Sequence, residues 1–484
     1  MSLFIRKPMT QLVTESEETH HLKRSLGSWS LVAMGIGAII GAGLFILTGI
    51  AASEHAGPAI LLSFLIAALG CAFAGMCYSE LATMIPIAGS AYTYAYATMG
   101  ELIAWVIGWD LVLEYAVGAS AVSVGWSGYV VAFLSDLGIH LPAQFVLCPF
   151  ETATLADGTV ISGIVNLPAI FIICMLSLLL MRGIRESSRV NEVIVIIKVA
   201  VVLVFIGVGL FFINWANYTP FIPENTGKFG EFGWSGILRA AGLVFFAYIG
   251  FDTVSTAAQE AKNPKKDIPT GVIVSLIICT ILYLLFAFVL IGMVNYQDMR
   301  GDPAPVATAI NLTPFPWLQK MIKLGIIAGF TSVILVMLLG QSRVFYSMSR
   351  DGLLPKIFSD IHPKWHTPWR SNILFMIFVS LFSGFFPISK LGHMTSIGTL
   401  FAFSIVCAGV LVLRYTHPEW PRSYKVPLVP WVPLAGIGVC LTMMIGLGLE
   451  TWYRLIIWLI IGMVIYFTYS RFHSKLRKGA PTQS

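Results

Sequence analysis

The sequence predicts an all-α membrane protein of about twelve transmembrane helices, from its composition, the spacing of its apolar segments and the placement of its basic residues. Hydrophobic residues make up 57% of the 484 and charged residues only 11%, with a mean hydropathy of +0.82. That is too apolar for a chain that must cover its surface with groups water can solvate. A helix needs about 20 apolar residues to cross the hydrocarbon. Such segments fall at roughly 29–53, 57–84, 99–134, 163–181, 190–214, 234–257, 270–294, 318–347, 371–387, 394–413, 428–448 and 452–470. With the N-terminus in the cytoplasm, 22 of the 30 Lys and Arg fall on that side. This bias and the even number of spans predict that both termini are cytoplasmic.

The remaining segments are simple. The first 27 residues are polar and carry Arg6, Lys7, Lys23 and Arg24, with no apolar stretch and cleavage site, so the first helix is expected to be its own insertion signal. Arg471, Lys475, Arg477 and Lys478 in the C-tail are read as topogenic and solubilising. The cysteines, at 71, 77, 148, 174, 279, 407 and 440, have no metal-ligand spacing, and only Cys148 falls in an external loop. They are read as small apolar packing residues, with no metal or other cofactor expected.

Soluble-enzyme chemistry finds no support. The one Gly-Lys pair, Gly227-Lys228, is followed by Phe229 and belongs to no phosphate-binding loop; HExxH is absent. Gly250-Phe251-Asp252 supplies one carboxylate where an intramembrane aspartyl protease needs two.

The informative residues are those that violate the rules for a lipid-facing helix. Gly35-Ile36-Gly37-Ala38-Ile39-Ile40-Gly41-Ala42-Gly43 puts four glycines in nine positions. Gly37 and Gly41 suit close helix packing, but the run also suits an unwound segment between two half-helices. Unwound backbone is tolerated in a bilayer only where it lines a cavity or is buried in protein. A second break is expected in Phe245–Ser255, where Asp252 follows Gly250 inside an apolar stretch and must face protein or water. Interrupted helices five spans apart point to inverted repeats with a transport site between them. Half-helix N-termini offer N–H donors to a carboxylate and half-helix C-termini offer carbonyls to an ammonium, so a zwitterionic amino acid fits.

Gly35–Phe45, Ala56-Gly57-Pro58-Ala59, Phe245–Ser255 followed by Glu260-Ala261-Lys262-Asn263-Pro264, and Ser349-Arg350-Asp351-Gly352-Leu353-Leu354-Pro355 together resemble the amino acid–polyamine–organocation transporters. The likeness is greatest to bacterial members of their cationic amino acid transporter branch. The resemblance implies a tail at 1–28, a core at 29–413 made of inverted five-helix repeats (about 29–214 and 234–413), peripheral helices over 428–470 and a tail at 471–484. It implies that amides around Gly41, Ala42 and Gly43 bind the substrate carboxylate, and that carbonyls of Ile39, Phe246 and Ile249, beside Ala247, take its amino group. Phe246 becomes the outer gate, with Asp252 a second conformational residue. Close relatives often carry Thr or Ser where this chain has Ala42, so a hydroxyl is missing there.

Lys198 lies nine residues after Arg189, about 14 Å along a helix, among Val193–Ile197 and Val199–Val202. Snorkelling to the interface is the bland alternative. By the resemblance its ammonium lies between the first, fifth and eighth helices, with Thr331 and Ser332 as neighbours, and exchanges a proton during the cycle. Glu114 in the third span is the second candidate for proton handling, and Asp110, one turn earlier, is read as structural. The helix-8 position that should face the substrate side chain is Met337, a polarizable filler with no charge. Proton-coupled symport of a small neutral L-amino acid such as alanine is therefore expected, with arginine, lysine or polyamines as the rival cargo and a channel or sensor as a lesser alternative. Expected partners are the amino acid, protons and lipids, with no nucleic acid; a small membrane-protein partner stays open. The resemblance alone suggests a bacterial inner membrane.

Overall fold

The computed structural model describes residues 3–8, 26–85, 91–154, 160–183, 188–256 and 261–479. Lys23, Arg24 and Glu260 lie outside them. The architecture is all-α, with one short antiparallel ladder, β1 (Thr152–Thr154) with β2 (Val160–Ser162), in the loop between two helices. Among the described residues, eight helical runs are long and apolar enough to cross a membrane: Gly43–Met84, Glu101–Asp136, Glu192–Phe212, Gly233–Ser255, Pro264–Met293, Pro316–Arg350, Ile388–Thr416 and Leu449–Lys478. Ser28–Ile39, Leu167–Met181, Trp369–Phe385 and Trp431–Gly446 are shorter apolar helices. The helix surfaces expose Leu, Ile and Phe along their length, while Trp29, Trp234, Trp317 and Trp431 stand exposed in first turns. Aromatic girdles at helix ends over an apolar belt mark a multi-pass membrane protein.

The helices are α1 (Ser28–Ile39), α2 (Thr48–Ala51), α3 (Ile60–Met84), α4 (Ala91–Thr98), α5 (Glu101–Val112), α6 (Gly118–Asp136), α7 (Leu167–Met181), α8 (Ser188–Gly209), α9 (Gly233–Val244), α10 (Thr253–Thr256), α11 (Pro264–Met293), α12 (Pro305–Asn311), α13 (Pro316–Arg350), α14 (Trp369–Phe385), α15 (Ile388–Thr416), α16 (Trp431–Gly446) and α17 (Leu449–Ile465). Proline opens α11, α12 and α13, where its missing N–H costs nothing. Asn166 caps α7 by accepting from the Ala169 amide at 3.2 Å, and the same oxygen accepts from the Ser127 hydroxyl of α6 at 2.7 Å.

Two helices are broken inside the bundle. α1 stops at Ile39, Ile40 is extended (φ −71°, ψ 111°), and helix resumes in a π turn over Gly43–Leu47 that continues into α2. Thr48 Oγ1 donates to the Leu44 carbonyl at 2.7 Å, tying that wide turn. α9 tightens into a 3₁₀ turn over Phe245–Tyr248, Ile249 is extended, and helix resumes at α10. Gly250 takes φ +117°, a conformation reserved for glycine, and a Cβ there would lie 2.7 Å from the Ala38 carbonyl oxygen. Gly43 is pressed on the Ala247 backbone in the same way. The residue before the first break thus meets the residue after the second, and the reverse, so the two broken chains cross antiparallel.

Both tails lie on one face. Lys7 Nζ is 2.8 Å from Asp351, to which Tyr92 of α4 donates at 2.6 Å, and the Lys475 amide donates to the Asp351 carbonyl at 3.0 Å. Arg477 in turn bonds buried Glu101 at 2.6 Å. This face is called the tail side below. All seven cysteines are free, and Cys148 is buried despite its loop position.

Candidate functional site

The breaks leave backbone groups that the helices no longer use. The amides of Gly41, Ala42 and Gly43 donate to no backbone carbonyl among the described residues, whereas Leu44 and Phe45 both reach back to the Gly41 carbonyl at 3.1 and 3.3 Å. Tyr283 of α11 bridges the two breaks: its hydroxyl lies 2.9 Å from the Ile39 carbonyl and 2.9 Å from the Ala247 carbonyl, and its single proton is shared between them. Its ring is wedged against Phe64 and Tyr248. Removing that hydroxyl leaves two buried carbonyls short of a donor, a loss of about 1–3 kcal/mol. Tyr283→Phe is therefore expected to lower the apparent melting temperature in detergent and to slow initial uptake several-fold; a variant unchanged in both would show that the bridge carries no weight.

Beside the crossing, on its tail side, lies a cavity of about 220 Å³. It is walled by Met34, Gly37 and Ala38 of α1, by Ile249, Gly250, Asp252 and Thr253 at the second break, by Ser332, Val333, Val336, Met337, Leu339 and Arg343 of α13, and by Glu114, Tyr115 and Lys198. The predicted site residues divide around it. Ile249, Met337, Lys198, Glu114 and Asp252 line it; Ile39, Gly41, Ala42, Gly43, Phe246 and Ala247 are buried and do not. The Ile39 carbonyl accepts from Tyr283 and the Phe246 carbonyl from the Ile249 amide at 3.2 Å, so each keeps one lone pair for another donor.

Lys198, 2% exposed, donates from Nζ to the Gly37 carbonyl at 2.9 Å. A Cβ on Gly329 would lie 3.1 Å from its Cγ, so its stem runs over a position of α13 that has no side chain. The lysine therefore sits among α1, α8 and α13, and not at the membrane interface. Of its two expected hydroxyl neighbours only Ser332 lines the cavity. Thr331 is turned toward α6, accepting from Trp126 Nε1 at 3.0 Å and donating to the Ile327 carbonyl at 2.9 Å.

Glu114 lies in a π turn, Leu113–Val117, which displaces its side chain from the α-helical register. Asp252 is faced by the Tyr115 hydroxyl and by amides of its own turn. Asp110 is buried outside the cavity, and neither of its carboxyl oxygens has a hydrogen-bond partner among the described residues. Sequence reasoning missed Tyr283, Tyr115 and Arg343. A lone tyrosine in an apolar helix carries no flag, and Arg343 is one of the 22 basic residues assigned by position to the cytoplasmic side. Two carboxyls, Glu114 and Asp252, stand on the lining together with the uncharged Met337.

Antiparallel broken helices beside a buried cavity with a lysine and two carboxyls define a membrane transport protein. The amino acid permease family model matches residues 26–466, and the chain belongs to that family, within the amino acid–polyamine–organocation superfamily. It is 45% identical over 477 residues to the branched-chain amino acid permease BcaP of Bacillus subtilis, covering 99% of each chain. It is 42% identical over 478 residues to the methylthioribose transporter of the same organism (99% of this chain, 100% of that one). It is 39% identical over 423 residues to the vacuolar cationic amino acid transporter 4 of Arabidopsis thaliana (86% of this chain, 68% of that one).

Proposed function

We propose that this protein imports neutral L-amino acids by alternating access, in symport with protons, through twelve helix crossings of a cell membrane with the tail side in the cytoplasm. Helix packing supports inverted repeats. α3 packs on α11, α6 on α13 and α7 on α14, each pair five crossings apart. α8 packs on α1, α11 and α13, and α15 packs on α9, α3 and α6, which is the same set of neighbours moved by five. The cavity on the tail side with Gly43 pressed on Ala247 beyond it fits a state closed on the far side.

The observation that carries the reading is the cavity itself: Lys198 and two acids beside unwound backbone, under apolar Ile249, Val333, Val336 and Met337. Such walls suit an aliphatic side chain, from alanine to the branched-chain amino acids named for the BcaP relative. The free amides after Ile40 take the carboxylate, and carbonyls of the two breaks, with Ile249 at the cavity, take the ammonium. Lys198, whose ammonium already binds the Gly37 carbonyl of the moving half-helix, couples the proton, with Glu114 as its exchange partner with water. Glu114 and Asp252 on the wall also favour a second reading, a cationic amino acid whose side chain meets them.

Reconstituted protein given labelled alanine, leucine or arginine and an imposed inward proton gradient separates these. Gradient-driven uptake of alanine and leucine, lost in Lys198→Ala while equilibrium exchange persists, is the expected result. Uptake confined to arginine would establish the second reading, and uptake indifferent to the gradient would remove the coupling.

A further inference from the structure

A second cavity, about 310 Å³, opens on the tail side between α13, α14 and the loop that precedes α14. Leu339 and Arg343 belong to the walls of both cavities. They are four residues apart and so share one face of α13, placing them at the neck where the two spaces meet. Arg343 is exposed there, although its helix is packed into the bundle on both sides of it. The outer cavity is otherwise lined by Ser342, Tyr346, Ser347, His366, Thr367 and Asn372 together with Leu180, Ile361 and Pro368, and no carboxylate appears among its described lining residues. The acids lie inside the neck, at Glu114 and Asp252.

We propose that Arg343, with the hydroxyl and amide groups of the outer cavity, forms a second, transient carboxylate-binding site through which the substrate passes at the tail side. This deepens, and rests on, the amino acid transport reading above. A guanidinium offers a forked pair of donors that matches an α-carboxylate, and a charge-assisted bond of this kind outlasts a neutral one. A substrate leaving the inner site must give up the broken-helix amides before water fully solvates its carboxylate; the neck supplies donors at that point. The same charge repels a cationic side chain, so the neck also favours neutral cargo. Other basic residues on this face lack such placement: of the walls shared by both cavities, Arg343 contributes the only charge among the described residues.

The test uses full-length protein in proteoliposomes of known sidedness, with leucine exchange measured from each side for wild type, Arg343→Gln and Arg343→Lys. Isopentylamine, which is leucine without its carboxylate, serves as a competing probe. Loss of one charge-assisted contact is expected to raise the tail-side KM of Arg343→Gln roughly tenfold, leaving the far-side KM within about twofold. Arg343→Lys should regain most of the difference, and inhibition by isopentylamine, a cation with no carboxylate, should not weaken in Arg343→Gln. Unchanged tail-side KM, an equal rise on both sides, or an amine affinity that weakens as much as leucine's would each overturn the assignment. Melting temperature and elution volume identify any variant that misfolds, in which case the lysine variant, retaining charge without the fork, must still show an intermediate KM. A wild-type protein that exchanges no amino acid at all would instead bring down the transport reading, and this site with it.

Discussion

Gly43→Ala is expected to cut transport by more than tenfold while leaving a folded protein. The added methyl would stand 2.5 Å from the Ala247 nitrogen and 2.6 Å from its Cβ, with the Cα closer still. Contacts under 3 Å with a flexible side chain relax cheaply, but here the neighbour is the backbone of the other broken helix. Overpacking of this kind costs about 2 kcal/mol, roughly a 30-fold shift in an equilibrium. The cost falls on the state in which the two breaks are pressed together, so the variant should populate conformations open on the far side. Far-side thiol labelling of an introduced cysteine should rise as uptake falls. Gly41→Ala is the comparison: its methyl would meet only the Val333 side chain, at an ordinary 3.4 and 3.8 Å, and its amide is kept, so uptake should fall far less than in Gly43→Ala. Equal losses in both variants would show that any side chain in the glycine run is harmful, and that the contact with Ala247 has no special part.

That glycine run was legible because lipid leaves the backbone no alternative to helix, so a stretch that makes poor helix announces a cavity or a protein neighbour. The helices were legible for the same reason, with ends a few residues off: the span expected at 394–413 is Ile388–Thr416, because Ser389, Lys390 and His393 made its first turn read as loop. The short helices α4 and α12 went unread, since neither is long enough to cross hydrocarbon and neither has a lipid-facing stripe. Within the site, residue types could be chosen from sequence but facing directions could not. Thr331 and Ser332 are neighbours in sequence yet about 100° apart around α13, and only the packed bundle decides that one meets Trp126 and the other the cavity. The cavity is assembled from five separate parts of the chain between Met34 and Arg343, and the bridge from Tyr283 to two breaks exists only once they cross. Met337 was singled out through the family resemblance alone, and it stands on the cavity wall.

Glu80→Ala is expected to produce the largest loss of stability of any single substitution considered. Glu80, near the tail-side end of α3, is 1% exposed and accepts from Arg414 Nε at 2.9 Å and Nη2 at 2.7 Å, and from the Val426 amide at 2.7 Å; Arg422 Nε lies 3.2 Å from it. One carboxylate therefore faces the guanidinium of Arg414 in the last turn of α15 and, in the loop from α15 to α16, the guanidinium of Arg422 and the Val426 amide, which pins the outer pair α16 and α17 to the bundle. Arg422 is itself buried and donates to the carbonyls of Leu413, His417, Pro418 and Trp420, so it cannot swing out to water when its counter-charge is lost. Breaking a buried pair by removing one partner costs about 3–5 kcal/mol, because the other charge is left uncompensated. Arg414→Ala should cost less: its side chain is 22% exposed, and Glu80 would keep Arg422 and the Val426 amide. Thermal unfolding in detergent should rank the proteins wild type, Arg414→Ala, Glu80→Ala in falling order, with Glu80→Gln above Glu80→Ala because its amide oxygen still accepts. An alanine variant as stable as wild type would mean that the loop is held by Arg422 and its carbonyls alone, and that the carboxylate is a passive member of the cluster.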